Sequence, residues 1–144
     1  MNAVENTGGI AEEPAWDMLL SDVLEQQAAA GHWRRITTEM RERDTLAPSN
    51  AHAVQRLVLA YVVYDRCSRE VAENGHVTKP KRGNPKAIMR LSPHFQAMRE
   101  MGVDAERIEA ELGISPRRRS SVTKVQKRTE RKTASANYLK PVAQ

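Results

Sequence analysis

The sequence predicts an all-α fold, a small helical domain with one long central helix and disordered termini. Along most of the chain, apolar residues recur at intervals of three and four, which gives a helix one apolar face. These residues are mostly Ala, Leu, Val and Met, which suit helices better than a sheet, and aromatic residues make up only 4% of the chain. No segment carries a strand signal or an internal repeat, so one helical core is expected.

The N-terminal part is divided into a disordered lead over residues 1–13 and the start of a helical core that extends over residues 14–115. Pro14 suits the first turn of a helix, and Gly31 is placed to end that helix. A second short helix, or the same helix after a bend, carries Trp33, Ile36 and Met40. The apolar stripe of the first helix comprises Trp16, Leu19, Leu20, Val23, Leu24 and Ala28.

The long central helix is the strongest helical pattern in the sequence. A loop from Thr45 to Asn50 precedes it, and either Ser49 or Asn50 can cap its first turn. Gly75 is a natural end. The apolar face predicted for this helix comprises Val54, Leu57, Val58, Tyr61, Val62, Val71 and Ala72.

Three shorter elements are expected after a basic loop at 76–86. Pro85 is predicted to begin a helix that carries Ile88, Met89 and Leu91, and Ser92-Pro93 to break and restart it. The restarted helix, with Phe95, Met98 and Met101, should end at Gly102. A short helix with Ile108 and Leu112 should then begin at Asp104 and end at Gly113. Residues 116–144 are expected to form a basic C-terminal helix or tail, partly disordered.

Charge is distributed unevenly along the chain. Residues 1–48 have a net charge of −5, residues 49–114 of +2, and residues 115–144 of +8, within a total of +5. A basic tail on a nearly neutral body usually contacts a polyanion. DNA or RNA is the first candidate and an anionic membrane surface a weaker one. No membrane span is expected, because no stretch of about 18 apolar residues exists.

The residues that carry catalytic chemistry are sparse and scattered. The four histidines form no metal-binding pair, Cys67 is the only cysteine, and no glycine-rich phosphate loop is present. Carboxylates on amphipathic helices are usually solvated. We therefore expect no enzyme activity, no catalytic residue, no cofactor and no metal.

Two basic clusters are predicted to bind DNA through its phosphates. The alternative for the first cluster is an ordinary solvated loop, and for the second a solubilising tail. A standard helix-turn-helix around Leu112-Gly113-Ile114-Ser115 is doubtful, because Glu109 and Arg119 stand where apolar residues should pack. The predicted DNA-binding residues are Lys79, Lys81, Arg82 and Lys86 in the first cluster, and Arg117, Arg118, Arg119, Lys124, Lys127 and Arg128 in the second.

The order of these features resembles the phage terminase small subunit family. A Trp- and Leu-bearing helix leads into a long helix that ends at Glu73-Asn74-Gly75. Asn84-Pro85 and then Leu112-Gly113-Ile114-Ser115-Pro116 with Arg119 are similar to the pattern N-P … L-G-[LI]-[ST]-P-x-x-R. The resemblance covers about residues 16–125. Asn50 departs from the usual aspartate, which also caps helices, and Arg118 replaces a usual small residue, making the arginine run denser.

The resemblance implies a non-catalytic helical subunit that forms rings, recognises the packaging start site on double-stranded phage DNA and delivers that DNA to the large terminase subunit. It implies action in the cytoplasm of the bacterial host. The residues predicted to fill the subunit interface of a cyclic homo-oligomer are Tyr61 and three apolar residues beyond the main face of the long helix, Val63, Tyr64 and Cys67. Two alternatives stay open: a dimeric DNA-binding transcription regulator, and a head-assembly adaptor that forms rings without binding DNA.

Overall fold

The all-α prediction is confirmed by a computed structural model, which describes residues 11–78, 83, 86 and 88–116. The long central helix, α3, has 24 residues and ends at Gly75, whose φ of 80° is accessible to glycine. The elements in chain order are α1 (Trp16–Leu19), α2 (Val23–Glu42), a 3₁₀ turn (Pro48–Asn50), α3 (Ala51–Asn74), β1 (Val77–Thr78), β2 (Arg90–Leu91) and α4 (Pro93–Leu112).

The predicted first helix is divided in two, and only Trp16 and Leu20 of its predicted apolar stripe are buried. Leu20 has extended backbone angles after α1, and the Asp22 carboxylate accepts a hydrogen bond from the Leu24 backbone N–H, which begins α2 at Val23. This start leaves Val23 60% and Leu24 72% exposed. Gly31 lies inside α2 rather than at its end. The apolar residues that α2 buries are Ala29, Trp33, Ile36 and Met40.

Helix α3 buries most of the predicted apolar face, including Val54, Leu57, Val58 and Val62. Ala72, near its end, is exposed instead. Asn50 precedes the helix, but its side chain does not cap it: the amide nitrogen Nδ2 donates to the Thr45 carbonyl oxygen at 3.0 Å. Asn50 therefore closes the preceding loop.

The helix predicted after Pro85 does not form over the residues described there. Ile88 and Met89 are non-helical and exposed, and Leu91 belongs to β2. Strand β2 pairs antiparallel with β1, with Val77 opposite Leu91. The Ser92 backbone N–H donates to the His76 carbonyl at 2.9 Å, which continues the hairpin. Strands of two residues are too short to show alternation, so no sequence pattern indicated them.

Helix α4 is one continuous helix, whereas two were predicted. It begins at Pro93, is capped by the Ser92 hydroxyl, which accepts from the His94 N–H, and continues past Gly102 and Asp104. The Tyr64 ring lies 3.5 Å from where a Gly102 Cβ would stand, so packing on α3 supports the helix at this glycine. The predicted end at Gly113 is correct, and its φ of 70° is left-handed.

Helix α3 lies between α2 and α4 and is antiparallel to both. Glu25 of α2 contacts Arg66, and His32, further along α2, contacts Tyr61. Tyr61 also contacts Glu109 of α4. The ends of α2 and α4 are therefore near the start of α3, and the β hairpin is at its other end. The buried core includes Trp16, Trp33, Met40, Leu46, Val54, Leu57, Val58, Ile108 and Leu112.

Candidate nucleic-acid interface

The β hairpin closes the base of the first basic cluster. Thr78 Oγ1 donates to the Arg90 carbonyl oxygen at 3.1 Å, which fixes the point where the loop leaves β1 and returns to β2. Lys86 is described and exposed. Lys79, Lys81 and Arg82 lie outside the described residues. The structure thus brings the two ends of the basic loop together, next to the positive N-terminal end of α4.

Residues 75–99 contain no acid, so no carboxylate of that segment opposes its positive charge. Arg90 belongs to this segment and is exposed on β2. It was not among the predicted DNA-binding residues, because the predicted first basic cluster ends at Lys86. The absence of acids around the loop was the signal that could have included it. The six bases of the segment are Lys79, Lys81, Arg82, Lys86, Arg90 and Arg99.

The second basic cluster starts from the opposite end of α4. The Gly113 carbonyl accepts a hydrogen bond from Arg43 Nη1 at 3.4 Å, and the described chain ends at Pro116. The 20 residues of α4 separate this point from the hairpin, which corresponds to roughly 30 Å at about 1.5 Å per residue. The predicted residues of this cluster, which lie outside the described residues, are Arg117, Arg118, Arg119, Lys124, Lys127 and Arg128.

Glu109, which made a standard helix-turn-helix doubtful, joins α4 to α3. The Tyr61 hydroxyl donates to Glu109 Oε1. Burial, reinforced by this hydrogen bond, raises the pKa of Tyr61 above its ordinary value of 10.0. The carboxylate therefore has a packing partner within the chain, where a helix-turn-helix would have a small apolar residue.

The four residues predicted for a subunit interface differ in their surroundings. Cys67 is buried and Val63 half-buried within the single chain. Tyr61 is half-buried, and its ring centroid is 5.3 Å from that of His32. Tyr64 is 40% exposed and packs over Gly102. Their role in a subunit interface stays a prediction.

A buried carboxylate in the described part of the chain is paired with an arginine. The Glu25 carboxylate accepts hydrogen bonds from Arg66 Nε at 2.8 Å and Nη2 at 2.5 Å. The hydrogen bonds from Arg66 outweigh burial and hold the pKa of Glu25 below its ordinary value of 4.5. This pair attaches α2 to α3.

Over residues 11–78 and 88–116 with the two isolated loop residues, no group of three or more His, Cys, Asp or Glu side chains could hold a metal ion. No helix in the same described part is long and apolar enough to cross a membrane.

Residues 29–129 match the family described as phage terminase, small subunit. The matched region contains both basic clusters and most of the helical core. No curated protein and no solved structure matches the chain. The family is generally a non-catalytic, DNA-binding component of the packaging machinery, which also includes the large terminase subunit. The resemblance expected from the sequence is confirmed. The chain belongs to the phage terminase small subunit family, and its role is in phage DNA packaging.

Proposed function

We propose that this subunit recognises the packaging start site on phage DNA, assembles into a cyclic homo-oligomer and delivers the DNA to the ATPase and nuclease of the large terminase subunit in the host cytoplasm. The observation that supports this most is the acid-free basic loop, closed by a hairpin inside the region that matches the family. The hairpin fixes the positions of the two loop ends relative to the helical core.

The two basic clusters contact separate stretches of duplex. They begin at opposite ends of α4, roughly 30 Å apart, and that length of duplex carries about 18 phosphate charges. Phosphate contacts give affinity without sequence preference. Repetition of both clusters around a ring multiplies weak contacts and raises the affinity for any duplex. A preference for the start site requires base contacts or DNA shape in addition.

The proposal is tested by fluorescence anisotropy with a duplex from the phage DNA end and a scrambled duplex of equal length, over a range of salt concentrations. We expect tighter binding of the phage duplex. Replacing Arg117, Arg118 and Arg119 by Gln should flatten the salt slope by about 3, since each phosphate contact contributes roughly 0.9. Replacing Lys79, Lys81, Arg82 and Lys86 by Gln should flatten it by about 4 on the same basis.

The control removes an equal charge elsewhere. Arg34, Arg41 and Arg56 are exposed on α2 and α3, and their replacement by Gln should leave the slope nearly unchanged. If the control and the Arg117–Arg119 variant flattened the salt slope equally, the effect would come from net charge and not from contacts of the cluster. Equal affinity for both duplexes would contradict start-site recognition. Delivery of DNA is measured as the ATPase rate of the large subunit. This rate should be higher with the small subunit and the phage duplex together than with either one alone.

A further inference from the structure

Two apolar patches account for seven of the nine large apolar side chains exposed by the described residues. The N-terminal patch is defined here as Met18, Leu19, Val23 and Leu24, and the hairpin patch as Ile88, Met89 and Leu91. Met18 is 81% and Ile88 76% exposed. Solvent-exposed apolar groups concentrated in this way are typical of an interaction surface.

The chain segments that carry the two patches have net charges of opposite sign. Residues 1–33 contain six acids and no Lys or Arg, and two of those acids, Asp17 and Asp22, are exposed beside the N-terminal patch. The hairpin patch lies in the acid-free segment 75–99, beside Lys86 and Arg90. Each patch therefore suits the other in both polarity and charge.

The two patches do not cover each other within one chain, because the side chains of both remain exposed. Both belong to the same end of the helical core, where α2 begins and α3 ends. Beside Leu24 is a groove of about 340 Å³, lined also by Asp22, Glu25, Ala28, Val62, Asp65 and Arg69. Its apolar residues can contact a side chain such as Met89, and Asp22 and Asp65 can contact a neighbouring base.

We propose that the N-terminal patch of one copy binds the hairpin patch of the next copy. This contact joins two different surfaces, so it can repeat from copy to copy and close into a ring. Contact between two N-terminal patches would oppose like charges, and DNA would be repelled by the acids there. The N-terminal patch precedes the region that matches the family, residues 29–129, so the match does not account for it. The inference rests on the proposed assembly and specifies its surfaces.

The test uses two full-length variants whose solution mass is measured by light scattering. One carries Met18→Ser and Leu24→Ser, and the other carries Ile88→Ser and Met89→Ser. All four side chains are exposed, so the helical circular dichroism spectrum should be retained. Wild type should have the mass of several subunits, and each variant alone should have the mass of one chain.

Mixing the variants distinguishes contact between different surfaces from contact between like surfaces. A one-to-one mixture contains one intact hairpin patch and one intact N-terminal patch, each on a different chain. It should therefore give dimers and nothing larger. A monomeric wild type, variants with the wild-type mass, or a mixture that stays monomeric would each overturn the proposal.

A matched control is Val103→Ser, which removes an apolar side chain that is 67% exposed on α4. Its mass should equal that of wild type. The Ser variants preserve net charge, so DNA anisotropy on the same samples separates the two proposals. Failure of the proposed function appears as a monomeric wild type or as no duplex binding by wild type. Failure of this inference alone appears as an oligomeric wild type that binds the duplex and variants that keep its mass.

Discussion

Arg66 of α3 holds the Glu25 carboxylate of α2 through two hydrogen bonds, although the residues are 41 positions apart in the sequence. Glu25 is only 7% exposed, whereas the Arg66 side chain is 47% exposed. Arg69, one turn further along α3, is 3.7 Å from the same carboxylate. Both arginines therefore face the same buried charge, Arg66 through two hydrogen bonds and Arg69 at a longer distance.

Arg66→Met should destabilise the protein more than Arg69→Met. We expect a loss of about 1–2 kcal/mol for Arg66→Met, because it leaves the buried carboxylate without its two charge-assisted hydrogen bonds, an effect reduced by solvent at the exposed side. Arg69→Met should cost under about 0.5 kcal/mol. Urea denaturation measures both, and equal losses would contradict this arrangement.

The Glu25–Arg66 pair should make stability depend on pH at the acidic end. The pKa of Glu25 is lowered in the folded protein by the hydrogen bonds from Arg66, so the contribution is complete above the unfolded value of 4.5 and is lost as pH falls through the folded value. Wild type should therefore exceed Glu25→Gln in free energy of unfolding at neutral pH, and the difference should shrink below 4.5. A difference independent of pH would contradict this assignment.

Tyr61 should produce the opposite dependence at alkaline pH. Burial, and then the hydrogen bond to Glu109, raises the pKa of Tyr61 above 10.0, so its contribution is complete below that pH and decreases as pH rises, when the unfolded chain ionises first. Tyr61→Phe should cost about 1 kcal/mol at neutral pH and should lack this alkaline loss. Unfolding free energies of both proteins around pH 10 provide the measurement, and parallel curves would exclude the mechanism.

Alanine substitutions at two glycines should have opposite effects. Gly113 ends α4 with a left-handed φ of 70°, so Gly113→Ala should cost about 1–2 kcal/mol. Gly31 is inside α2, and beyond the adjacent residues and the nearby helix backbone no atom lies within 4 Å of where its Cβ would stand. Gly31→Ala should therefore stabilise by roughly 0.5–1 kcal/mol. Thermal unfolding should show one melting temperature lowered and the other raised. A lowered melting temperature for both would refute the assignment at Gly31.

The features that sequence reasoning predicted correctly depend on neighbouring residues. The face of α3, its end at Gly75, the Ser92-Pro93 start of α4 and its end at Gly113 all follow from periodicity and from backbone preferences. The order of the same local signals indicated the family. Such features can be read from a short window because the physical cause lies within that window.

Contacts between distant residues decided the rest. Tyr64 of α3 supports α4 at Gly102, where the sequence predicted an end. The hairpin depends on pairing between Val77 and Leu91 across the basic loop. The sequence by itself determined the helical class, the central helix, the basic clusters and the family. Only the tertiary structure decided where helices continue or break and which apolar side chains remain exposed, because packing energy between distant segments outweighs local propensity.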